Sequence, residues 1–260
     1  MAMIDEKATV LANERLHDSL YLMTLSSPKL ASQMLPGQFV HMSIPDLHAD
    51  ILRRPFSIYD SNPDEGILEI LYQVVGTGTE RMTCWEKGSA TDMIGPIGKR
   101  WTYPDEAERA LLIGGGVGAA PLYMLAKEMT AKGIDVDAVL GAATEPMLVC
   151  KDRYGSLCGD SAHFTTDDGS FGTEGFATAK VQELLDRGIE YGYAAICGPE
   201  PLMRFASRMT MDAGIPTQVS LERRMACGIG ACLSCTCDTD GGRKRVCIDG
   251  PVFDASEVVW

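Results

Sequence analysis

The sequence predicts a β plus α/β protein, built from an antiparallel β-barrel, a parallel-sheet α/β domain and a small cysteine-rich C-terminal domain. Short apolar runs separated by turn residues fill roughly the first 104 positions. Apolar runs then alternate with helical patterns over 105–220, and cysteines concentrate in 221–260. The length of 260 residues and the hydrophobic content of 45% are sufficient for more than one core. We therefore expect domains at 1–104, 105–220 and 221–260.

The first segment contains closely spaced strands. Apolar runs at 19–25, 38–44 and 67–75 are separated by turn-forming pairs such as Pro36-Gly37 and Pro45-Asp46. Short strands with turns of this kind between them are typical of a small barrel.

The second segment alternates strands with helices, which predicts a parallel sheet. Strands are predicted at 110–113, 136–140, 162–166, 193–197 and 217–221. Helices are predicted at 119–131, 178–186 and 200–211.

The composition excludes several classes of protein. A net charge of −13 argues against nucleic-acid binding, which requires a basic surface. The sequence holds no apolar run long enough for a membrane span. Its N-terminal residues lack the basic and apolar regions of a secretion signal. We therefore expect a cytoplasmic protein without membrane or nucleic-acid partners.

Four cysteines form the most specific pattern in the sequence. Cys227, Cys232 and Cys235 have the C-x4-C-x2-C spacing of plant-type [2Fe–2S] proteins, and Cys247 follows after eleven further residues. Small residues between them allow backbone N–H groups to approach the sulfur atoms. The alternatives are buried free thiols or a zinc site, although zinc usually takes two C-x2-C pairs and only one is present. Cys237 is a possible third ligand, but the spacing favours Cys235. The four histidines show no ligand spacing, and we interpret them as surface or core residues: His17, His41, His48 and His163.

A second pattern, Arg53-Arg54-Pro55-Phe56-Ser57, indicates a flavin site on a barrel strand. The guanidinium can pair with a diphosphate, and the serine hydroxyl can reach a ring system. The proline cannot donate to a β ladder and predicts an edge strand or a bulge. Tyr72 offers a ring for stacking, and the turn at 76–79 leads into a helix start whose N–H groups can bind phosphate. The alternative is an ordinary strand and turn.

A third pattern is a glycine-rich loop between a predicted strand and a predicted helix, which is the context of a dinucleotide-binding loop. It contains Gly114, Gly115, Gly116 and Gly118. Alanine replaces the third glycine of the motif at Ala119, which is a mild departure. A plain strand-to-helix turn rarely needs so many glycines.

Another loop, Cys197-Gly198-Pro199, ends a strand at the same sheet edge, where parallel sheets bind ligands. Gly198 permits close approach of a nucleotide. Cys197 either packs beside a nicotinamide or is a buried small residue. Asp167 and Asp168 follow a third strand at this edge. Their carboxylates would repel a 2′-phosphate, which favours NAD over NADP.

The order of these patterns resembles the ferredoxin-reductase superfamily. The resemblance rests on L-R-R-P-F-S at 52–57, E-R-R-M-A-C-G-I-G-A-C-L-S-C at 222–235 and V-C-I-D-G-P-V-F at 246–253. Within the superfamily, the chain is similar to the electron-transfer subunits of type 1B dihydroorotate dehydrogenase over essentially its whole length. The alternative relatives are small subunits of bifurcating ferredoxin:NADP reductases and of some hydrogenases, which usually lack the double-arginine R-P-x-S form.

The resemblance implies FAD, a [2Fe–2S] cluster and NAD as cofactors. It implies FAD contacts at Arg54, Pro55, Phe56, Ser57, Leu71, Tyr72, Gln73, Gly78 and Thr79. It also implies a separate FMN-containing catalytic subunit that oxidises dihydroorotate, in a heterotetramer with two copies of each chain. Electrons would pass from that FMN through the cluster and FAD to NAD⁺, in pyrimidine biosynthesis. We assign no catalytic acid or base, since hydride transfer from a flavin needs none. The non-enzyme alternative is an iron–sulfur redox sensor, against which the flavin strand argues.

Overall fold

Two seven-stranded sheets and a cysteine-rich segment make up the computed structural model, which describes residues 3–45 and 52–260. The predictions made for the extreme N-terminus, for Asp46 in the first predicted turns and for His48 fall outside these residues.

The first sheet is antiparallel and occupies the N-terminal part of the chain. Its strands are β1 (Ile4–His17), β2 (Leu20–Ser26), β3 (Phe39–Met42), β4 (Arg54–Ser57), β5 (Asp60–Asn62), β6 (Ile67–Gln73) and β7 (Ala90–Ile97). Two short helices connect them, α1 (Pro28–Ala31) and α2 (Thr77–Met82). The order across the sheet is β4-β3-β7-β1-β2-β6-β5.

This sheet curves into a half-barrel. The ring centroids of Phe56 on β4 and Tyr72 on β6 are 6.3 Å apart, although four strands lie between β4 and β6 in the sheet order. Pro55 predicted an edge strand or a bulge, and β4 lies at the edge of the sheet. Strand β1 was not predicted, because charged residues interrupt its apolar pattern and much of the strand is exposed.

The second sheet carries the α/β part of the chain. Its first six strands are β8 (Arg109–Gly115), β9 (Asp135–Ala142), β10 (Ala162–Thr166), β11 (Thr173–Glu174), β12 (Tyr193–Cys197) and β13 (Thr217–Ser220). The helices between them are α3 (Ala120–Ala131), α4 (Lys151–Cys158), α5 (Ala177–Asp186) and α6 (Glu200–Asp212). Short 3-10 turns cover Gly116–Ala119, Glu145–Met147 and Gly159–Ser161.

These strands are parallel, and their order reverses around β8. The order is β11-β10-β9-β8-β12-β13, so β8 has β9 on one side and β12 on the other. Loops that leave the carboxyl ends of neighbouring strands at such a reversal diverge and leave a cleft. The fold therefore places the glycine loop after β8 and the loop after β12 on the two sides of one cleft.

The cysteine-rich segment is joined to both sheets. It contains β14 (Thr236–Thr239), β15 (Gly242–Arg245), α7 (Val246–Asp249), β16 (Val252–Asp254) and a 3-10 turn at Ala255–Glu257. Strand β16 pairs antiparallel with β13 and completes the second sheet. On the barrel side, Lys99 N donates to Gly250 O at 2.6 Å. Val246 and Phe253 are buried in one core with residues of the second sheet. Burial against its neighbours therefore stabilises this segment.

The predicted fold class is confirmed, whereas the domain boundaries stay a prediction. Within the described part of the chain, no helix combines the length and apolar character needed to cross a membrane.

Candidate cofactor-binding sites

A cleft of about 700 Å³ lies at the carboxyl edge of the second sheet. Its walls come from the loops after β8, β9, β10 and β12 and from the first turns of α5 and α6. Apolar residues of those two helices border it, including Leu202 and Phe205. The sheet edge thus brings together the two loops that the sequence analysis assigned to a nucleotide.

The glycines of this edge allow the two loops to pack against each other. A Cβ atom on Gly118 would lie 2.6 Å from the carbonyl oxygen of Cys197, and one on Gly115 would lie 2.8 Å from Cδ of Pro199. A Cβ atom on Gly114 would lie 2.8 Å from Cα of Ala119. Gly116 differs, because no atom lies within 4 Å of its Cβ position and its φ is +55°. Loop packing therefore explains three of these glycines, and Gly116 leaves room for a ligand.

Cys197 is buried in the core at the end of β12. Burial raises the pKa of its thiol, and the hydroxyl of Ser220 lies within hydrogen-bonding reach. This placement fits the structural alternative for Cys197. The neighbouring Gly198 and Pro199 line the cleft.

Glu222 also lines the cleft, and the sequence analysis missed it. Although the Glu222 side chain is exposed, partial desolvation by the surrounding protein raises the pKa of its carboxyl group. The sequence could have indicated Glu222, because its carboxyl group follows a parallel strand at the edge of the sheet where ligands bind.

The two acidic residues after β10 have different environments. Asp167 lines the cleft. Asp168 is exposed, and its carboxylate accepts hydrogen bonds from Ser170 N at 3.0 Å and from Ser170 Oγ at 2.6 Å. These hydrogen bonds lower the pKa of Asp168. Only Asp167 is therefore placed to meet a nucleotide, whereas Asp168 shapes its own loop.

Alternation along β6 separates the residues assigned to the flavin. Leu71 packs in the core of the second sheet, and Gln73 reaches the wall of the cleft. Tyr72 points the other way into the barrel core, where its ring stacks on Tyr21 at 5.4 Å. Its hydroxyl donates to Asn13 Oδ1 at 3.1 Å. The ring of Tyr72 thus packs against the barrel interior, not on an open surface as the stacking role would require.

The predicted phosphate contacts meet at one corner of the barrel. A Cβ atom on Gly78 would lie 3.1 Å from Nε of Arg54, so the glycine leaves space for the guanidinium. Arg54 Nη1 donates to Leu52 O. The Thr79 hydroxyl accepts from Val75 N at 2.9 Å and donates to Gly76 O at 3.0 Å. Thr79 therefore fixes the turn that carries Gly78.

This corner fits a flavin nucleotide. The residues of the edge strand β4 are all partly exposed: Arg54, Pro55, Phe56 and Ser57. The guanidinium of Arg54 can bind a diphosphate. Gln73 connects the barrel to the cleft of the second sheet.

The four cysteines of the C-terminal pattern form two pairs. Cys227 lies beside Cys232, and their thiols are within hydrogen-bonding reach. Cys235 lies beside Cys247, and Cys247 N donates to the sulfur of Cys235 at 3.4 Å. Cys227 and Cys247 are close enough to interact electrostatically. In residues 3–45 and 52–260, no three His, Cys, Asp or Glu side chains converge as tightly as metal ligands do.

Backbone groups of the loop stabilise a thiolate at Cys227. Partial burial alone would raise its pKa, but N–H groups of Ile229 and Cys232 donate to the sulfur and lower the pKa to about 7. The donor set of thiols and inward N–H groups fits an iron–sulfur cluster. Cys237 is buried on β14, and burial raises its pKa; the charged groups around it include Arg223 and Asp238.

Comparison with known proteins identifies the family. Residues 222–259 match the iron-sulfur cluster binding domain of dihydroorotate dehydrogenase B, and residues 112–208 match the oxidoreductase NAD-binding domain. The chain is 37% identical over 261 residues to the electron transfer subunit of dihydroorotate dehydrogenase B (NAD(+)) from Bacillus caldolyticus, with 98% of each chain covered. The chain belongs to the family of these electron transfer subunits. The resemblance found in the sequence is thereby confirmed, and the chain is an oxidoreductase subunit with an iron–sulfur domain and an NAD-binding domain.

Comparison with solved structures shows that the chain has a ferredoxin-reductase-like fold. A structure of an NADH-dependent reduced ferredoxin-NADP oxidoreductase, described for flavin-based electron bifurcation, superimposes with a TM-score of 0.87 at 30% identity. The match covers 97% of this chain and 89% of the chain in that structure. A ferredoxin NADP⁺ reductase from Neisseria gonorrhoeae with bound FAD and NADP shares the fold, with a TM-score of 0.66 at 17% identity. The match covers 81% of this chain and 92% of that one.

Proposed function

We propose that this chain passes two electrons from the FMN of a dihydroorotate dehydrogenase catalytic subunit, through a [2Fe–2S] cluster and FAD, to NAD⁺. The overall reaction is dihydroorotate + NAD⁺ → orotate + NADH + H⁺, with the carbon chemistry in the partner subunit. It serves pyrimidine biosynthesis. A cluster requires reduced thiolates, and disulfides are rare in the cytosol, so we place the protein in the cytoplasm.

The position of Gln73 carries this proposal. Gln73 lies on β6 of the barrel and lines the cleft beside Gly116 and Gly198. Hydride transfer needs reacting atoms about 3–3.5 Å apart, so the flavin and nicotinamide sites must adjoin. They adjoin at Gln73 if the flavin lies along β4 and the nucleotide enters the cleft.

Each cofactor has a set of residues that suits it. The cation of Arg54, with the space left by Gly78, suits the FAD diphosphate. Gly116 admits the nucleotide into the cleft. When bound, the cluster supplies single-electron transfer and the flavin joins it to the two-electron chemistry of NAD⁺. We assign cluster ligation to Cys227, Cys232, Cys235 and Cys247, through the pairing and N–H contacts described above.

The loop at 226–234, called the cluster loop below, offers a docking surface for the catalytic subunit. Ile229 and Leu233 are 47% and 62% exposed, within a loop otherwise made mainly of small residues. A partner that covers them would approach the cluster closely and shield it from water. The heterotetramer of two catalytic and two electron-transfer subunits is part of this proposal.

Reconstitution with the FMN-containing subunit tests the function. The purified complex is expected to reduce NAD⁺ with dihydroorotate, and this chain alone is expected to oxidise NADH with an artificial dye. A redox sensor would show no rapid bleaching of its flavin by NADH. A bifurcating reductase subunit, which the superposition at a TM-score of 0.87 makes the second candidate, would require ferredoxin in place of dihydroorotate.

The docking surface is tested by Ile229→Glu. We expect FAD content, iron content and NADH–dye activity to match wild type, while dihydroorotate-dependent NAD⁺ reduction falls. Leu16→Glu is the matched control, because Leu16 is 40% exposed at the end of β1. Normal coupled turnover by Ile229→Glu would show that the partner docks elsewhere.

A further inference from the structure

His41 is a buried histidine between the barrel and the cluster loop. It lies on β3, a strand whose four residues are all buried. Val40 and Met42 pack in the barrel core. Phe39, on the opposite face, packs in the core that contains Cys235. Because strand side chains alternate between faces, His41 shares the face of Phe39, which the cysteine-rich segment covers.

The cluster loop is in close contact with the imidazole. A Cβ atom on Gly228 would lie 2.6 Å from Nδ1 of His41, and Gly228 follows the ligand Cys227 directly. The backbone groups of Cys227 and Arg53 both lie near the ring. Arg53 immediately precedes β4, and β3 pairs with β4 so that His41 is opposite Pro55. One ring thus connects the cluster loop to the strand assigned to the flavin.

The two ring nitrogens are not satisfied by ordinary hydrogen bonds. Although His41 is 1% exposed, neither nitrogen has a partner of normal geometry among the residues that the structure describes. A buried polar group in this state is destabilising, which argues against His41 as a packing residue alone. Burial, with the nearby charge of Arg53, lowers the pKa of His41 to about 4. The ring is therefore neutral near pH 7, with one nitrogen as donor and the other as acceptor.

We propose that His41 is a positioning residue that holds the cluster loop at a fixed separation from the flavin-binding strand. This inference rests on the proposed function, because it assumes that single electrons cross from the cluster to the flavin. The ring itself gains and loses neither an electron nor a proton. The ring lies near the backbone oxygens of Cys227 and Arg53, and its bulk fills the space that Gly228 leaves. Without the ring, the loop and its cluster are free to shift relative to the flavin.

The test uses the holo chain without its partner, mixed with NADH. Flavin bleaching and the slower reduction of the cluster are followed separately, along with the EPR spectrum and midpoint potential of the cluster. In His41→Leu we expect bleaching as in wild type, cluster reduction slower by about tenfold or more, and altered EPR g values. His41→Asn places an amide near the position of Nδ1, and His41→Gln places one near the position of Nε2. We expect one of these two variants to restore the wild-type rate of cluster reduction and the wild-type EPR g values. His17→Leu, on an exposed part of β1, is the control.

A double-mutant cycle approaches the contact from the loop side. Gly228→Ala adds a methyl group against the imidazole and also strains a backbone with φ of +68°. Gly228→Ala introduces the same backbone strain in the wild-type protein and in His41→Ala. The difference between its effects in these two backgrounds therefore isolates the contact with the imidazole ring. We expect the two changes to be non-additive in iron retention and in the EPR spectrum.

The proposal would be overturned if His41→Leu had the same EPR spectrum, midpoint potential and rate of cluster reduction as wild type. Strict additivity of the two changes in the double-mutant cycle would also overturn it. Because all readouts use this chain alone, a failure of coupling to dihydroorotate would reject the proposed function without affecting this result.

Discussion

Gly118 and Cys197 are in direct backbone contact, since a Cβ atom on Gly118 would lie 2.6 Å from the carbonyl oxygen of Cys197. The two residues belong to different loops, one after β8 and one after β12. The contact fixes the distance between the two sides of the cleft. The geometry of the nucleotide site therefore depends on the absence of one side chain.

Gly118→Ala is expected to force these loops apart. Overpacking of this kind costs about 1–3 kcal/mol of unfolding free energy, and NADH affinity should fall with it. Urea denaturation and NADH titration measure the two effects. Gly155→Ala is the matched control, because Gly155 lies within α4 with no atom within 4 Å of its Cβ position. It should be neutral or stabilising by about 0.4–1 kcal/mol. Unchanged stability in Gly118→Ala would contradict the assigned contact.

Serine at each proposed cluster ligand should remove iron. Purified wild type is expected to be brown, to hold about two irons per chain and to show an EPR signal on reduction. Cys227→Ser, Cys232→Ser, Cys235→Ser and Cys247→Ser should lose that signal, because serine replaces a thiolate ligand. Cys237→Ser should keep it, as should the exposed control Cys84→Ser. Survival of the cluster in Cys235→Ser with its loss in Cys237→Ser would exchange the two assignments.

Arg54→Ala should weaken FAD retention. A charge-assisted hydrogen bond to a phosphate contributes about 1.5–3 kcal/mol, so the dissociation constant should rise by about tenfold or more. Flavin absorbance after gel filtration and titration of the apoprotein measure the change. Arg15→Ala is the control, because Arg15 is exposed and pairs with Asp18. If flavin content in Arg54→Ala equals that of wild type, Arg54 has a structural role instead.

The two acidic residues after β10 should differ in their effect on nucleotide choice. Wild type is expected to reduce its flavin faster with NADH than with NADPH. Asp167→Ser should narrow this preference, because it removes a like charge that would face a 2′-phosphate in the cleft. Asp168→Ser should leave the preference almost unchanged, since that carboxylate binds Ser170. The ratio of kcat/KM for the two nucleotides is the measurement. If wild type preferred NADPH, Asp167 would not act to disfavour nucleotides that carry a 2′-phosphate.

The buried carboxylate of Asp137 should make stability depend on acid pH. Burial alone would raise its pKa, but His163, Arg109 and Tyr191 hold the pKa below the ordinary 3.8. Arg109 Nε donates to the carboxylate at 2.8 Å. A lowered folded-state pKa contributes stability above the ordinary value, which is lost as the pH falls through the folded value.

At pH 7 we expect Asp137→Asn to lower the unfolding free energy by up to about 3 kcal/mol, because a buried carboxylate loses its charge and its ion pair with the partly exposed Arg109. The difference from wild type should shrink with acidification below pH 3.8. Thermal denaturation across pH measures both, with the exposed Asp135→Asn on the same strand as control. A constant difference across the acid range would show that the charge of Asp137 is not involved.

Local patterns in the sequence predicted the class of many elements, although β1 and α4 were not among them. Strands β10 and β12 have the bounds that apolar periodicity predicted, Ala162–Thr166 and Tyr193–Cys197. The cysteine spacing and the glycine loop are equally local, because a ligand loop or a strand-to-helix turn is built from consecutive residues. The proline of β4 predicted an edge or a bulge, and the sheet order places β4 at an edge.

Tertiary structure decided which of these residues face one another. Alternation on β6 turned Tyr72 into the barrel and Gln73 into the cleft, and the sequence pattern alone did not reveal which face was which. Strand β16 joined the cysteine-rich segment to the second sheet. His41 met Gly228 from a distant part of the chain. Contacts of this kind depend on how whole sheets pack, and the spacing of residues along the chain carries no record of that packing.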